Sequence, residues 1–249
     1  MRHLALPMYA LACAAFLFET TDWDLRTCGP FWNPVSGRWV GEDAFWANGL
    51  LHDGGKWAVV AWASSALILF LASLRSRRLE RWKWPALYLL LCTVLGTGAV
   101  GILKATTGRH CPRELTAFGG TVPYTTLFDG LPPNTPPGHC FPSGHASGAL
   151  SLLGLYFVAR ARRVRRPVVW LLPGLVLGSL YALGQHARGA HFLSHDLWAA
   201  AVCWIVALGL AWAFGERRLA SFEREPAPAW NLASNLDATT TPAAGPDPA

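Results

Sequence analysis

Six stretches of this chain, residues 4–17, 57–74, 86–103, 146–159, 168–183 and 197–214, contain no Asp, Glu, Lys or Arg. A helix needs about 20 mostly apolar residues to cross a bilayer. The runs 146–159 and 168–183 fall short of that and reach it only by extending into their polar flanks. A soluble protein can bury one such helix. Six of them, separated by polar or basic segments, leave too little polar surface to keep a chain of this size in water. The composition agrees: 52% of the 249 residues are hydrophobic and 14% are charged, against about a quarter charged in a soluble domain. A disordered chain, a coiled coil and a disulfide-dense secreted domain are excluded. The expected fold is all-α, a polytopic integral membrane bundle of six transmembrane helices.

The basic residues set the expected orientation. Of the 21 Lys and Arg, fourteen fall in the segments before the first run, between runs two and three, between runs four and five, and after run six. These are short, and the clusters Arg75–Lys83 and Arg160–Arg166 abut apolar runs directly. The remaining seven are spread over longer connections. Both termini are therefore expected on the cytoplasmic side of a bacterial-type inner membrane. An alternative reading of residues 1–20 is a signal peptide; an uncleaved first span accounts better for both clusters. The net charge of +6 comes without a basic, aromatic-interleaved surface, so no nucleic-acid partner is expected. Residues 1–225 read as one membrane domain, and the Pro-, Ala- and Thr-rich 226–249 as a disordered cytoplasmic tail.

Of eight histidines, all but His3 fall on the expected outer side. Ionisable residues close to a membrane are functional suspects by default, although His52 and His139 read as ordinary loop residues. Three outer segments hold most of the remaining polar chemistry. One runs from Lys104 through Arg109, Cys111 and Pro112 to Arg113. Another is Pro142-Ser143-Gly144-His145, and the last runs from Arg188 through His191 and His195 to Asp196. Together they suit a phosphate. Lys and Arg donate to phosphate oxygens, and Ser143-Gly144 at a helix start offers backbone N–H groups. Two separated histidines can divide the work of nucleophile and general acid.

In order and spacing these motifs resemble the type 2 phosphatidic acid phosphatase superfamily, which includes the vanadium haloperoxidases. The signature is Lys-x6-Arg-Pro, then Pro-Ser-Gly-His, then Ser-Arg-x5-His-x3-Asp, and the likeness extends over about residues 50–215. The middle motif matches fully. In the first, Cys111 stands at the Arg position; Arg109 and Arg113 are each two residues away, and Arg109 is favoured. In the last, Gln185 stands at the Arg position, with Arg188 three residues on. An ungapped reading puts His195 at the Asp position, and a one-residue bulge would put Asp196 there. The resemblance implies His191 as a nucleophile forming a phosphohistidine and His145 as general acid. It further implies Lys104, Arg109, Ser143, Gly144 and Arg188 as the phosphate cradle, and Asp196 or His195 as the group orienting His191. It implies no metal and no cofactor.

The implied activity is hydrolysis of a lipid phosphate or pyrophosphate monoester at the outer face of the bilayer. A lipid phosphotransferase, a haloperoxidase and a non-catalytic lipid binder or transporter on the same scaffold are the alternatives. The aromatic residues of the 20–57 stretch either cap the site or form an interfacial belt. Three cysteines are expected outside, where disulfides persist. A Cys111–Cys140 bond would tie the first motif to the second, and a pairing with Cys28 is the alternative.

Overall fold

The computed structural model describes residues 2–131 and 133–220; the expected tail at 226–249 lies outside them. The chain is mostly helical. Helices α1 (Arg2–Thr20) and α2 (Trp23–Cys28) lead into a two-stranded hairpin, β1 (Trp32–Asn33) paired antiparallel with β2 (Arg38–Trp39). A π-helical segment, Trp46–Gly54, then runs directly into α3 (Gly55–Ser73). α4 (Lys83–Thr106) is followed by a long connection. α5 (Gly144–Leu150), a short 3-10 turn (Ser151–Gly154) and α6 (Leu155–Ala161) form one nearly continuous rod, and α7 (Leu172–Ala187) and α8 (Leu193–Ala220) complete the bundle.

Four helical runs are long and apolar enough to cross a membrane: Trp46–Ser73, Arg77–Thr106, Pro167–Ala187 and Leu193–Ala220. They contain the expected second, third, fifth and sixth spans. Large apolar side chains face outward from them, among them Ile68, Ile102, Val176 and Trp212, the last 87% exposed. Exposed apolar surface on this scale suits hydrocarbon rather than water. The other two expected spans are helical but do not reach the same length and hydropathy. The 4–17 run lies in α1, whose apolar part is Leu6–Phe18. The 146–159 run is the α5–α6 rod at the centre of the bundle. Its Ala146, Ser147, Gly148, Ala149 and Ser151 are buried against neighbouring helices. A helix solvated by protein can be shorter and richer in small residues than one solvated by lipid, because small residues let backbones approach closely. The core runs down this rod, with Tyr88, Cys92, Leu150, Leu153, Phe157, Cys203 and Trp204 in one cluster.

The helices alternate in direction, so the two kinds of connection separate. Arg162 donates to the Arg81 carbonyl at 2.9 Å, and Arg160 pairs with Glu216 at 2.6 Å. The basic connections thus meet at one end. The C-terminal ends of α4 and α7 and the N-terminal ends of α5 and α8, which carry the three motifs, meet at the other. The hairpin lies at that second end. There Trp32, Trp39 and Phe118 pack together with Cys28, Leu115 and Phe192.

Candidate active site

The first motif leaves the last turn of α4 at Lys104 and runs beside the segment that precedes α5. Thr107 donates to the Phe141 carbonyl at 2.7 Å, the Gly138 N–H to the Gly108 carbonyl at 2.9 Å, and the Cys140 N–H to the Arg109 carbonyl at 2.9 Å. A Cys111–Cys140 disulfide, with Cα atoms 5.2 Å apart, closes this pairing. Of the two pairings considered, this is the one formed. Glu114 accepts from His110 Nδ1 at 3.0 Å and from the Cys111 N–H at 2.9 Å, which shapes the turn toward Arg113. The Arg113 N–H then reaches the Gly189 carbonyl at 3.0 Å, joining the first motif to the third.

The third motif is a tight turn between α7 and α8. Gly189 has φ +62°, a conformation that costs little only without a side chain, and a Cβ there would lie 2.2 Å from the Trp39 indole. The start of α8 is fixed from afar. Asp24 accepts from the Ser194 N–H at 3.1 Å and from the Ser194 hydroxyl. Burial pushes the Asp24 carboxyl up to about 6, against these hydrogen bonds. The Ser143 N–H donates to the His195 carbonyl at 3.1 Å, so the second and third motifs are also directly bonded.

These connections open a cleft of about 370 Å³ at the motif end of the bundle. Lys104, Gly144, His145, Arg188 and His191 line it, as the sequence led us to expect, together with Arg113, His52, His139 and the disulfide. Burial lowers the Arg188 pKa, and the Arg113 charge lowers it further, so two guanidinium groups face the same space. Such a set attracts an anion with several acceptor oxygens. His191 is 5% exposed. Burial, then the neighbouring His195 and Lys104, push its pKa well below the ordinary imidazole value, so its ring is neutral near pH 7.

Four expected site residues do not line this cleft. Arg109 is buried and donates to Thr125 Oγ1 at 2.9 Å, to the Leu127 carbonyl at 2.7 Å and to the Asp129 carbonyl. It braces the 125–129 loop, and Arg113 is the guanidinium that reaches the cleft. Ser143 is fully buried, and its Oγ has no hydrogen-bond partner among the described residues. Asp196 does not reach His191: its carboxylate accepts from His186 Nε2 at 2.9 Å, tying the end of α7 to the start of α8. The group beside His191 is His195, with the two Nδ1 atoms 3.4 Å apart.

His52 and His139 were read as loop residues, yet both line the cleft. Asp24 and His186 were not singled out at all. The one signal for Asp24 was a carboxylate next to the aromatic residues of an outer segment, where a charge is costly unless it has partners.

The sequence profile of the PAP2 superfamily matches residues 85–219, which include all three motifs and end one residue before α8 does. The chain belongs to the PAP2 superfamily. Neither the curated proteins nor the solved structures give a match. PAP2 members are generally phosphatases acting on phosphate esters.

Proposed function

We propose that this protein is a six-span membrane phosphatase, residues 1–225, that hydrolyses a lipid phosphate or pyrophosphate monoester through a phosphohistidine. In this reading both termini are cytoplasmic and the cleft opens at the outer face of a bacterial-type inner membrane. The observation that carries the chemistry is the convergence of Lys104, Arg113 and Arg188 with His145 and His191 in a single cleft. The separation of this cleft from the basic connections at the opposite end of the bundle carries the orientation.

Lys104, Arg113 and Arg188 hold the phosphate oxygens and offset the charge that builds during transfer; preorganised donors of this kind each supply several kcal/mol of barrier lowering. The His191 Nδ1–H donates to His195 Nδ1, which leaves the Nε2 lone pair to attack phosphorus. His145 gives a proton to the leaving lipid oxygen as its bond to phosphorus breaks. Water then attacks the phosphohistidine, gives its proton to His145 and releases inorganic phosphate. His195, a neutral acceptor, does what a carboxylate does in the signature motif.

Phosphate release from purified protein in lipid nanodiscs tests this against a panel of phosphatidic acid, phosphatidylglycerol phosphate, polyprenyl pyrophosphate and sphingoid phosphate. Release from at least one of them, abolished in His191→Ala, is expected. Equal release by wild type and His191→Ala from every substrate would defeat the reading.

A further inference from the structure

One wall of the cleft lies outside the residues matched by the PAP2 profile: the π-helical segment Trp46–Gly54. π-Helices are rare, occur mostly as single-turn bulges and cluster at functional sites. This one is nine residues long and passes into α3 without a break. The Leu51 carbonyl on it accepts from Nε2 of His145 at 2.8 Å, across 94 residues of sequence. A carbonyl oxygen can only accept, so Nε2 carries a proton. With Nε2 committed, Nδ1 is the one ring nitrogen left to serve the cleft.

The next residue, His52, stacks its ring on that of His145, with centroids 4.9 Å apart and planes 25° apart. His52 is itself held by Asp53, to which its Nδ1 donates at 2.8 Å. Tyr181 of α7 contacts the His145 ring as well, at 5.0 Å between centroids, and its hydroxyl donates to the Gly55 carbonyl at 3.3 Å. The approach depends on Gly55: an added Cβ would lie 2.9 Å from Tyr181 Cζ and 3.1 Å from His145 Nε2. Carbonyl, stacked ring, tyrosine and glycine thus converge on one imidazole.

We propose that the Trp46–Gly54 π-helix is the positioning element for the general acid. The Leu51 carbonyl fixes the tautomer of His145, and the His52 ring fixes its plane, so that Nδ1–H faces the leaving oxygen. This rests on the phosphatase reading above. In the first step the doubly protonated, cationic His145 ring passes its Nδ1 proton to the leaving oxygen as the P–O bond breaks, and the ring becomes neutral with its other proton kept on Nε2 by the Leu51 carbonyl. In the second, Nδ1 takes a proton from the attacking water as the new P–O bond forms and the P–N bond of the phosphohistidine breaks. His52 touches neither reacting atom and is a positioning residue.

The test compares two substrates on the full chain in detergent. A long-chain alkyl phosphate has a poor leaving group and depends on the proton; 4-nitrophenyl phosphate leaves without one. General acids contribute about 10²–10⁴-fold, so losing only the alignment is expected to cost roughly 10-fold. His52→Ala should lower kcat/KM about 10-fold for the alkyl ester and less than about 3-fold for the nitrophenyl ester, and His52→Phe, which keeps a stacking ring, should restore most of the loss. Equal losses on both substrates, or no rescue by His52→Phe, would overturn the proposal. Nitrogen-15 NMR of histidine-labelled wild type, with His145 assigned from the His145→Gln spectrum, gives a readout independent of turnover. A proton on Nε2 in the neutral ring supports the proposal, and a neutral ring protonated only on Nδ1 overturns it. Failure of the phosphatase reading would show instead as no turnover of either ester by wild type.

Discussion

Arg109 and Arg113 flank the cysteine that stands where the PAP2 signature has arginine, and their side chains go to different places. Truncating each in turn should therefore give opposite phenotypes. Arg113 lines the cleft near Arg188, and its guanidinium can make two charge-assisted bonds to phosphate oxygens. Such bonds contribute about 1.5–3 kcal/mol each; the side chain is exposed, so water competes and the lower half of that range applies. Losing about 3–4 kcal/mol in the transition state corresponds to a 10²–10³-fold fall in kcat/KM. The fold should be spared, because the Arg113 backbone N–H keeps its bond to Gly189. Arg109 is 8% exposed and donates to Thr125, Leu127 and Asp129. Arg109→Ala leaves those acceptors without their donor and should destabilise by about 3 kcal/mol, or roughly 6–12 °C in Tm for a chain of this size. Turnover per folded molecule should change by only a few-fold. Steady-state kinetics with a lipid phosphate, together with Tm in the same detergent, measure both. A large kinetic loss in Arg109→Ala at unchanged Tm, with Arg113→Ala close to wild type, would refute the assignment.

Asp196 and His195 should separate in the same manner. His195→Ala removes the acceptor from His191 and should lower kcat about 10–10²-fold, whereas Asp196→Asn weakens the buried bond to His186, costs about 1–3 kcal/mol of stability and leaves kcat within about 3-fold. The pH profile follows from His191, which must be neutral to attack. Its pKa lies well below 6.5, so protonation removes the nucleophile only in acid. The rising limb of kcat/KM is then expected below pH 6.5, and a limb above that value would contradict the burial of this ring. Reducing the Cys111–Cys140 bond frees a loop spanning 29 residues. That should cost about 3.6 kcal/mol of stability in the chain-entropy account, read as a fall in denaturant midpoint. It should also raise KM, since Arg113 sits two residues from Cys111.

The membrane-facing helices were legible because lipid demands long uncharged runs, and four of the expected spans coincide with such helices. The 146–159 run was legible as apolar but not as central, since hydropathy does not say whether lipid or protein surrounds a helix. Residues inside regular structure or fixed motifs fall together where the sequence grouped them: Lys104, His145, Arg188 and His191 all line one cleft. Choices that depended on loop direction did not. Between Arg109 and Arg113 the chain has no periodicity to indicate which side chain points inward. Between His195 and Asp196 the decision lies in the first turn of α8, where one residue rotates a side chain by about 100°, from His191 toward His186. His52 passed for a loop residue because its partner is 93 positions away, and nothing in local sequence marks a π-helix.

The central claim is a covalent phosphoryl intermediate on His191. Rapid acid-free quenching of the protein with a phosphorus-32-labelled lipid phosphate, followed by alkaline digestion and peptide mapping, tests it directly. An acid-labile, base-stable label on the peptide carrying His191, absent from His191→Ala, is the expected result. Steady turnover of lipid phosphate with no label, or with the label on another residue, would contradict the account.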